Sequence, residues 1–262
     1  MAAAAVRRRK RGVEGLDQFL ELCKTDDSKD GTALEAMYKR LDLDVRKRDP
    51  MGRTLFHRVC EAGASRAVVR FLLSKGADPA LTTVNGSTPL LLASEFGHLS
   101  VVTELLEDGT GLGFEEHMHR GYRGLGSSAL LSACRRDHVE VALLLISKGV
   151  SVKRDANVGF QGVSGAPSGG GPLHWASLHG RLALVEALVD READLDERTT
   201  DGPPLHWALT RKKYPVAAFL LNRGADPCLH HLNRQGKSLG EIVDKDWLEK
   251  LGLGLGVTPP TS

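Results

Sequence analysis

The sequence predicts an all-α solenoid, a stack of helix–turn–helix units joined by β-turn fingers. Three observations carry that expectation. One motif returns five times, opening at Gly52, Gly86, Gly126, Gly170 and Gly202. The return is regular: Gly52 to Gly86, Thr54 to Thr88 and Gly63 to Gly97 each span 34 residues, while Leu173 to Leu205, His174 to His206 and Ala193 to Ala225 each span 32. Within each copy the apolar residues recur at helical spacing. Such a period marks units that cannot bury their apolar faces alone and therefore stack. Two longer gaps, 40 residues from Leu90 to Leu130 and 43 from Leu130 to Leu173, leave the flanking pattern intact. The excess is assigned to insertions near 110–125 and 153–171.

The elements follow in order along one copy. Thr88 caps a first helix, and Pro89 stands in its first turn, where no N–H is needed. Leu90 and Ala93 face inward. Ala93, Ala133, Ala176 and Ala208 are small enough for neighbouring helices to approach closely. Gly97 and Gly180 end the first helix in a left-handed conformation. Val101, Val102, Leu105 and Leu106 make the apolar stripe of a second helix, which Gly109, Gly149 and Gly224 terminate in successive copies. A hairpin-like finger follows. Ends of such stacks need capping. Residues 13–45 read as a divergent N-terminal capping repeat, with Leu16, Phe19, Leu20 and Leu22 on one helix and Ala33, Leu34, Met37, Tyr38 and Leu41 on another. Residues 46–228 hold the five repeats, and 229–251 read as a C-terminal cap closed by Trp247, Leu248 and Leu251. A basic leader at 1–12 and a Gly/Pro-rich tail at 252–262 are expected to be disordered.

Particular motifs carry a family resemblance. They are Thr88-Pro89-Leu90, Pro172-Leu173-His174-Trp175-Ala176, Pro204-Leu205-His206-Trp207-Ala208, Gly97-His98, and the Gly-Ala-Asp runs ending at Asp78 and Asp226. The chain resembles the ankyrin repeat family over roughly residues 52–226. The resemblance implies the fold and leaves function open. It also bears on His57, His174 and His206, which invite a catalytic reading: in this family the His of that position hydrogen-bonds backbone and ties repeats together. Leu91 and Leu131 stand there in two repeats, so a polar ladder is expected to break at them in favour of apolar contact.

Composition agrees. The chain has 262 residues, a formal net charge of +2 and only 5% aromatic residues, as expected where Leu, Ala and Val do the packing. Its longest apolar run, 141–146, is far shorter than a membrane span. Cys23, Cys60, Cys134 and Cys228 lack metal-ligand spacing, and reduced thiols in cytoplasm or nucleus are the simplest account. The run Arg7 to Arg11 fits an import signal or a solvated leader equally. Glu115, Glu116, His117 and His119 in the first insertion offer metal-ligating types without assured geometry, and a lengthened finger carrying Phe114, Tyr122, Arg120 and Arg123 is preferred. The Gly-rich second insertion suggests a phosphate-binding loop, yet no Gly-Lys-Ser/Thr follows. No cofactor or metal is expected.

The resemblance implies a protein-binding surface on the concave side, made by the fingers and the outer positions of the first helices. Arg58, Phe96, Arg135, Arg136, Trp175, His179, Trp207 and Arg211 are the partner-binding candidates, with Glu61, Glu95 and Ser132 mapping beside them. Trp175 and Trp207 are expected to lie side by side, as direct contacts or as partly packed rings. Large aromatics and Arg dominate many interfaces. The fingers lean basic through Arg46, Lys47, Arg48, Arg53, Arg120, Arg123, Lys153, Arg154, Arg198, Arg234 and Lys237, which favours a protein partner with an acidic surface. Nucleic acid is not favoured, since acids interrupt the stripe and no module for it is evident. The expected function is a non-enzymatic scaffold or adaptor, monomeric, in the cytoplasm and/or nucleus. The alternatives are a stoichiometric inhibitor or assembly chaperone of one complex and, remotely, an enzyme working through its inserted loops.

Overall fold

The computed structural model describes residues 18–21, 23, 32–107, 128–153 and 169–227. The leader, the insertion at 110–125, nearly all of that at 153–171, the C-terminal cap and the tail lie outside the described residues. The metal-ligating types at 115–119 and Trp247 lie outside them as well. Two compact units divide the chain, Met1–Val150 and Ser151–Ser262. Among the described residues all regular structure is helical, apart from one bridge between Thr199 and Gly202.

In the first unit the helices are α1 (Thr32–Arg40), α2 (Leu55–Ala62), α3 (Arg66–Ser74), α4 (Pro89–Glu95), α5 (Leu99–Glu107), α6 (Ala129–Arg135) and α7 (Val139–Ser147). Helices α2, α4 and α6 pack in one row, and α3, α5 and α7 in a second row behind them. Local chemistry sets each start. Thr88 Oγ1 and Ser128 Oγ accept the N–H groups of Leu91 and Leu131, each at 3.1 Å, satisfying donors that a helix leaves open at its first turn. The core follows the apolar stripe: Val59, Ala93, Val102, Leu105, Leu130 and Leu145 are all buried. Residues read as the N-terminal cap touch the first full repeat. The Ser65 N–H donates to the Cys23 carbonyl at 3.1 Å, and the Tyr38 ring meets Phe71 edge-on at 5.6 Å.

The second unit contains α8 (Pro172–His179), α9 (Leu182–Asp190), α10 (Pro204–Thr210) and α11 (Tyr214–Asn222). Helix α8 packs on α10 and α9 on α11. Pro172 and Pro204 open their helices as the sequence predicts. Leu173, Leu184, Leu188, Leu205 and Leu220 fill the space between the two rows.

The turn between first and second helices needs a left-handed residue. Gly63, Gly97 and Gly180 supply it at φ 82, 75 and 76°, but Asp137 and Lys212 do so at 65 and 55°. Glycine also makes room. A Cβ on Gly63 would fall 2.5 Å from the His98 ring, and one on Gly97 would fall 2.4 Å from His138 Nδ1. The imidazole of each following repeat thus lies over the glycine of the one before.

Candidate protein-binding surface

The histidines inside the first helices are structural. His57 is fully buried; its Nε2–H donates to the Leu81 carbonyl at 2.9 Å, and its Nδ1 accepts from the Thr54 N–H at 3.2 Å. His174 repeats this geometry, with Nε2–H to the Glu197 carbonyl at 2.9 Å and Nδ1 accepting from the Gly171 N–H at 3.2 Å. Each ring ties its helix to the finger that follows. Burial holds His57 below the usual imidazole range, with the hydrogen bond to the Leu81 carbonyl opposing it.

Leu91 and Leu131, which replace these histidines in two repeats, offer no such bond to a finger, and a second kind of polar link is present in the first unit. His98 donates from Nε2 to the Glu61 carbonyl at 2.9 Å, and His138 to the Glu95 carbonyl at 3.1 Å. This second link sits at the start of the second helix and reaches back to the preceding repeat. Gly97-His98 signalled it in the sequence, but as a family motif rather than as a hydrogen-bond donor.

The candidate residues fall into two groups, one per unit. In the first, Arg58 is half-buried on α2, Phe96 is 46% exposed after α4, and Arg135 and Arg136 close α6. Glu95 Oε1 accepts from Arg136 at 2.8 Å and Arg135 at 3.3 Å. The Arg136 side chain remains 55% exposed, while that of Arg135 is 20% exposed. Ser132, mapped beside them, is fully buried, because α6 packs closely there. The basic lean of the fingers is also spent internally in this unit. Arg53 pairs with Asp49 at 2.9 Å and Glu61 at 3.4 Å, and Arg48 donates to the Thr82 carbonyl at 2.9 Å. Asp49 and Glu61 lie 4 and 8 residues from Arg53, while Thr82 lies 34 from Arg48, so a count of basic residues alone overstated how many side chains are uncommitted.

In the second unit Trp175 and Trp207 are side by side, edge to face at 5.3 Å between ring centroids. Trp175 is half-buried and stacks on His179 at 6.2 Å. Trp207 corrects the sequence expectation: it is only 2% exposed. Its ring packs 5.1 Å from that of His174, and a Cβ on Gly170 would fall 2.5 Å from its edge. The Trp175 indole N–H donates to the Gly170 carbonyl at 3.1 Å. The pair therefore grips the glycine end of the second insertion, with Trp207 as the packed ring and Trp175 as the more accessible one. Arg211 is exposed at the end of α10.

Among the described residues no cluster of three or more His, Cys, Asp or Glu side chains is arranged to hold a metal ion, and no helix is long and apolar enough to cross a membrane. Cys60 and Cys134 are buried free thiols whose pKa burial pushes up, so they stay protonated.

Within each unit, helix pairs linked by backbone-bonded histidines define a repeat array whose first helices lie side by side. The family profile for ankyrin repeats in three copies matches residues 27–115, 112–199 and 156–231. The chain belongs to the ankyrin repeat family. It is 31% identical over 121 residues to the ankyrin repeat and KH domain-containing protein mask-1 of Caenorhabditis elegans, covering 44% of this chain and 4% of that protein. It is 28% identical over 154 residues to the probable E3 ubiquitin-protein ligase XBOS32 of Oryza sativa subsp. japonica, covering 51% of this chain and 30% of that one. The chain thus spans less than a third of these curated relatives. Among solved structures, the human ASB11 ankyrin repeat domain aligns at a TM-score of 0.64 and 24% identity, covering 93% of this chain and 99% of that one. The ankyrin repeat domain of Bcl-3 aligns at 0.60 and 22%, covering 85% and 91%. These two likenesses show the fold alone. Ankyrin repeats are generally non-catalytic interaction modules, and membership of the family supports a protein-binding role.

Proposed function

We propose that this chain is a non-enzymatic scaffold or adaptor that binds a protein partner through the outward ends of its first helices. The observation that carries this reading is a contrast along those helices. Inward polar groups are committed to the fold, as in the bonds of His57 and His174 to backbone. Outward groups at equivalent positions, Phe96, Arg136 and Arg211, stay exposed although Phe96 gains nothing from water. A surface held by repeat packing loses little freedom on binding, which limits the ordering cost. Exposed arginines favour a partner with an acidic surface. Buried thiols at Cys60 and Cys134 fit the cytoplasm or nucleus, and the protein acts as a monomer.

The test is a paired affinity capture with quantitative mass spectrometry. One bait is the native chain, the other carries Phe96→Ala, Arg136→Glu and Trp175→Ala and is first shown to be folded by circular dichroism. Partners enriched by the native bait and lost by the variant are expected. Identical partner sets would overturn the assignment of this surface. One partner at fixed unit stoichiometry would identify a dedicated inhibitor or assembly chaperone rather than a general adaptor.

A further inference from the structure

Exposed apolar side chains scattered singly need no explanation. Four large ones are exposed among the described residues: Met51, Val84, Phe96 and Leu99. Phe96 and Leu99 flank the turn between α4 and α5. Met51 and Val84 stand at the tips of two successive fingers, those that precede α2 and α4, and are 48% and 58% exposed. The tips adjoin: the Val84 N–H donates to the Met51 carbonyl at 2.9 Å, and a Cβ on Gly52 would fall 3.1 Å from the Val84 nitrogen. Each tip is also fixed from within. Asp49 Oδ1 accepts the N–H groups of Met51 and Arg53 at 2.9 and 2.8 Å, and Thr83 Oγ1 accepts that of Ser87 at 3.1 Å. The two apolar side chains thus leave neighbouring positions on set backbone. Covering them would remove apolar area from water with little ordering cost.

Charge beside the tips adds an independent observation. Arg46, Lys47 and Arg48 are all exposed and lead into the first tip. Among the described residues none of the three pairs with a carboxylate. Arg48 donates to the Thr82 carbonyl at 2.9 Å, and a neutral carbonyl leaves its charge uncancelled. The acids of these two fingers are Asp44, Asp49 and Asp78, and each is turned onto its own loop. Asp44 accepts the Arg46 N–H, Asp78 accepts the Ala80 N–H, and Asp49 pairs with Arg53. The finger of the second unit is built differently, with Thr200 and Asp201 at its tip and Asp194, Asp196 and Glu197 before it. An apolar tip beside a basic run is therefore particular to the first unit, and the repeat pattern does not demand it.

We propose that the adjoining tips, Met51 and Val84 beside Arg46, Lys47 and Arg48, dock an extended segment of a protein partner in which an apolar side chain stands next to Asp or Glu. This rests on the protein-binding reading above and names the chemistry of the segment recognised. The probe is a random peptide library displayed on phage and selected on the full chain. Enriched peptides are expected to carry Leu, Ile, Met or Phe flanked by acids. One such peptide is then labelled and titrated by fluorescence anisotropy at low and at physiological salt. Met51→Gln with Val84→Thr keeps the shape of both side chains and removes their apolar character. Its affinity is expected to fall roughly fivefold or more. Its thermal midpoint is expected to be unchanged, since no bond that holds the tips uses either side chain. Arg46→Gln with Lys47→Gln is expected to weaken binding roughly threefold at low salt and less at physiological salt. Enriched peptides without acid or without an apolar residue, equal binding by the Met51 and Val84 variant, or tighter native binding to a single-stranded oligonucleotide or to phosphatidylserine vesicles would each overturn the proposal. Used as a third capture bait, that variant separates the two readings. If it keeps every partner that the Phe96, Arg136 and Trp175 variant loses, docking at the tips fails and the protein-binding assignment stands.

Discussion

Gly97 lacks a side chain for two reasons that act together: its φ of 75° is left-handed, and His138 Nδ1 occupies the space 2.4 Å from where a Cβ would be. Gly97→Ala is expected to cost about 1–3 kcal/mol, read as a lowered midpoint of chemical denaturation; an unchanged midpoint would show that His138 can move aside freely. The sequence showed this glycine as a helix terminator. It did not show the ring above it, because that contact joins residues 97 and 138 across an insertion. Which of the two tryptophans is the packed one was not legible for a similar reason. The position of Trp207 on α10 matches that of the more accessible Trp175 on α8, and its ring is enclosed by His174 and Trp175 of the preceding repeat and by Gly170, contacts that join different repeats.

Between elements, the second helices of the first unit are joined by charge. Glu104 on α5 has a side chain 1% exposed and accepts from Arg66 on α3 at 2.9 Å, with Arg70 beside it; Arg66 also reaches Glu107. Burial raises the Glu104 pKa, but Arg70 and Arg66 outweigh it, so the carboxyl lies below its usual range. A folded pKa held below the unfolded value gives stability that is present above the unfolded pKa and lost as pH falls through the folded one. The same sign holds for buried, neutral His57, whose contribution starts to erode as pH drops below about 6.5. Denaturation midpoints across pH are therefore expected to fall in two stages, below about pH 6.5 from His57 and below about pH 4.3 from Glu104. Glu104→Ala should cost about 1–3 kcal/mol at neutral pH and diminish the more acidic stage, to which Asp49, also held below its usual range, contributes as well. A variant with that stage undiminished would assign it wholly to other carboxylates. The helices and their caps were legible because Thr88-Pro89 and Ser128 act within one turn of chain. The Arg66–Glu104 pair joins residues on helices of different repeats, and only the packing of α3 on α5 reveals it.

For the whole molecule, each unit has its own buried core, and in an array stability is summed from units and nearest-neighbour contacts. Leu105 is 1% exposed, so Leu105→Ala should cost about 2–5 kcal/mol. Hydrogen exchange followed by mass spectrometry should show faster exchange concentrated in the first unit, with peptides from α8 to α11 changed least. Uniform acceleration along the chain would mean that both units open as one. The histidine-over-glycine contact also limits how such a chain can be rearranged. His98 closes over Gly63 and His138 over Gly97, and Lys213 takes the same place over Gly180. Each of these three junctions is thus built half from one repeat and half from its successor, like a tongue and its slot. A repeat cut out and grafted elsewhere would bring a slot for one neighbour and a tongue for another. The order of the repeats, and not only their number, is written into the joints.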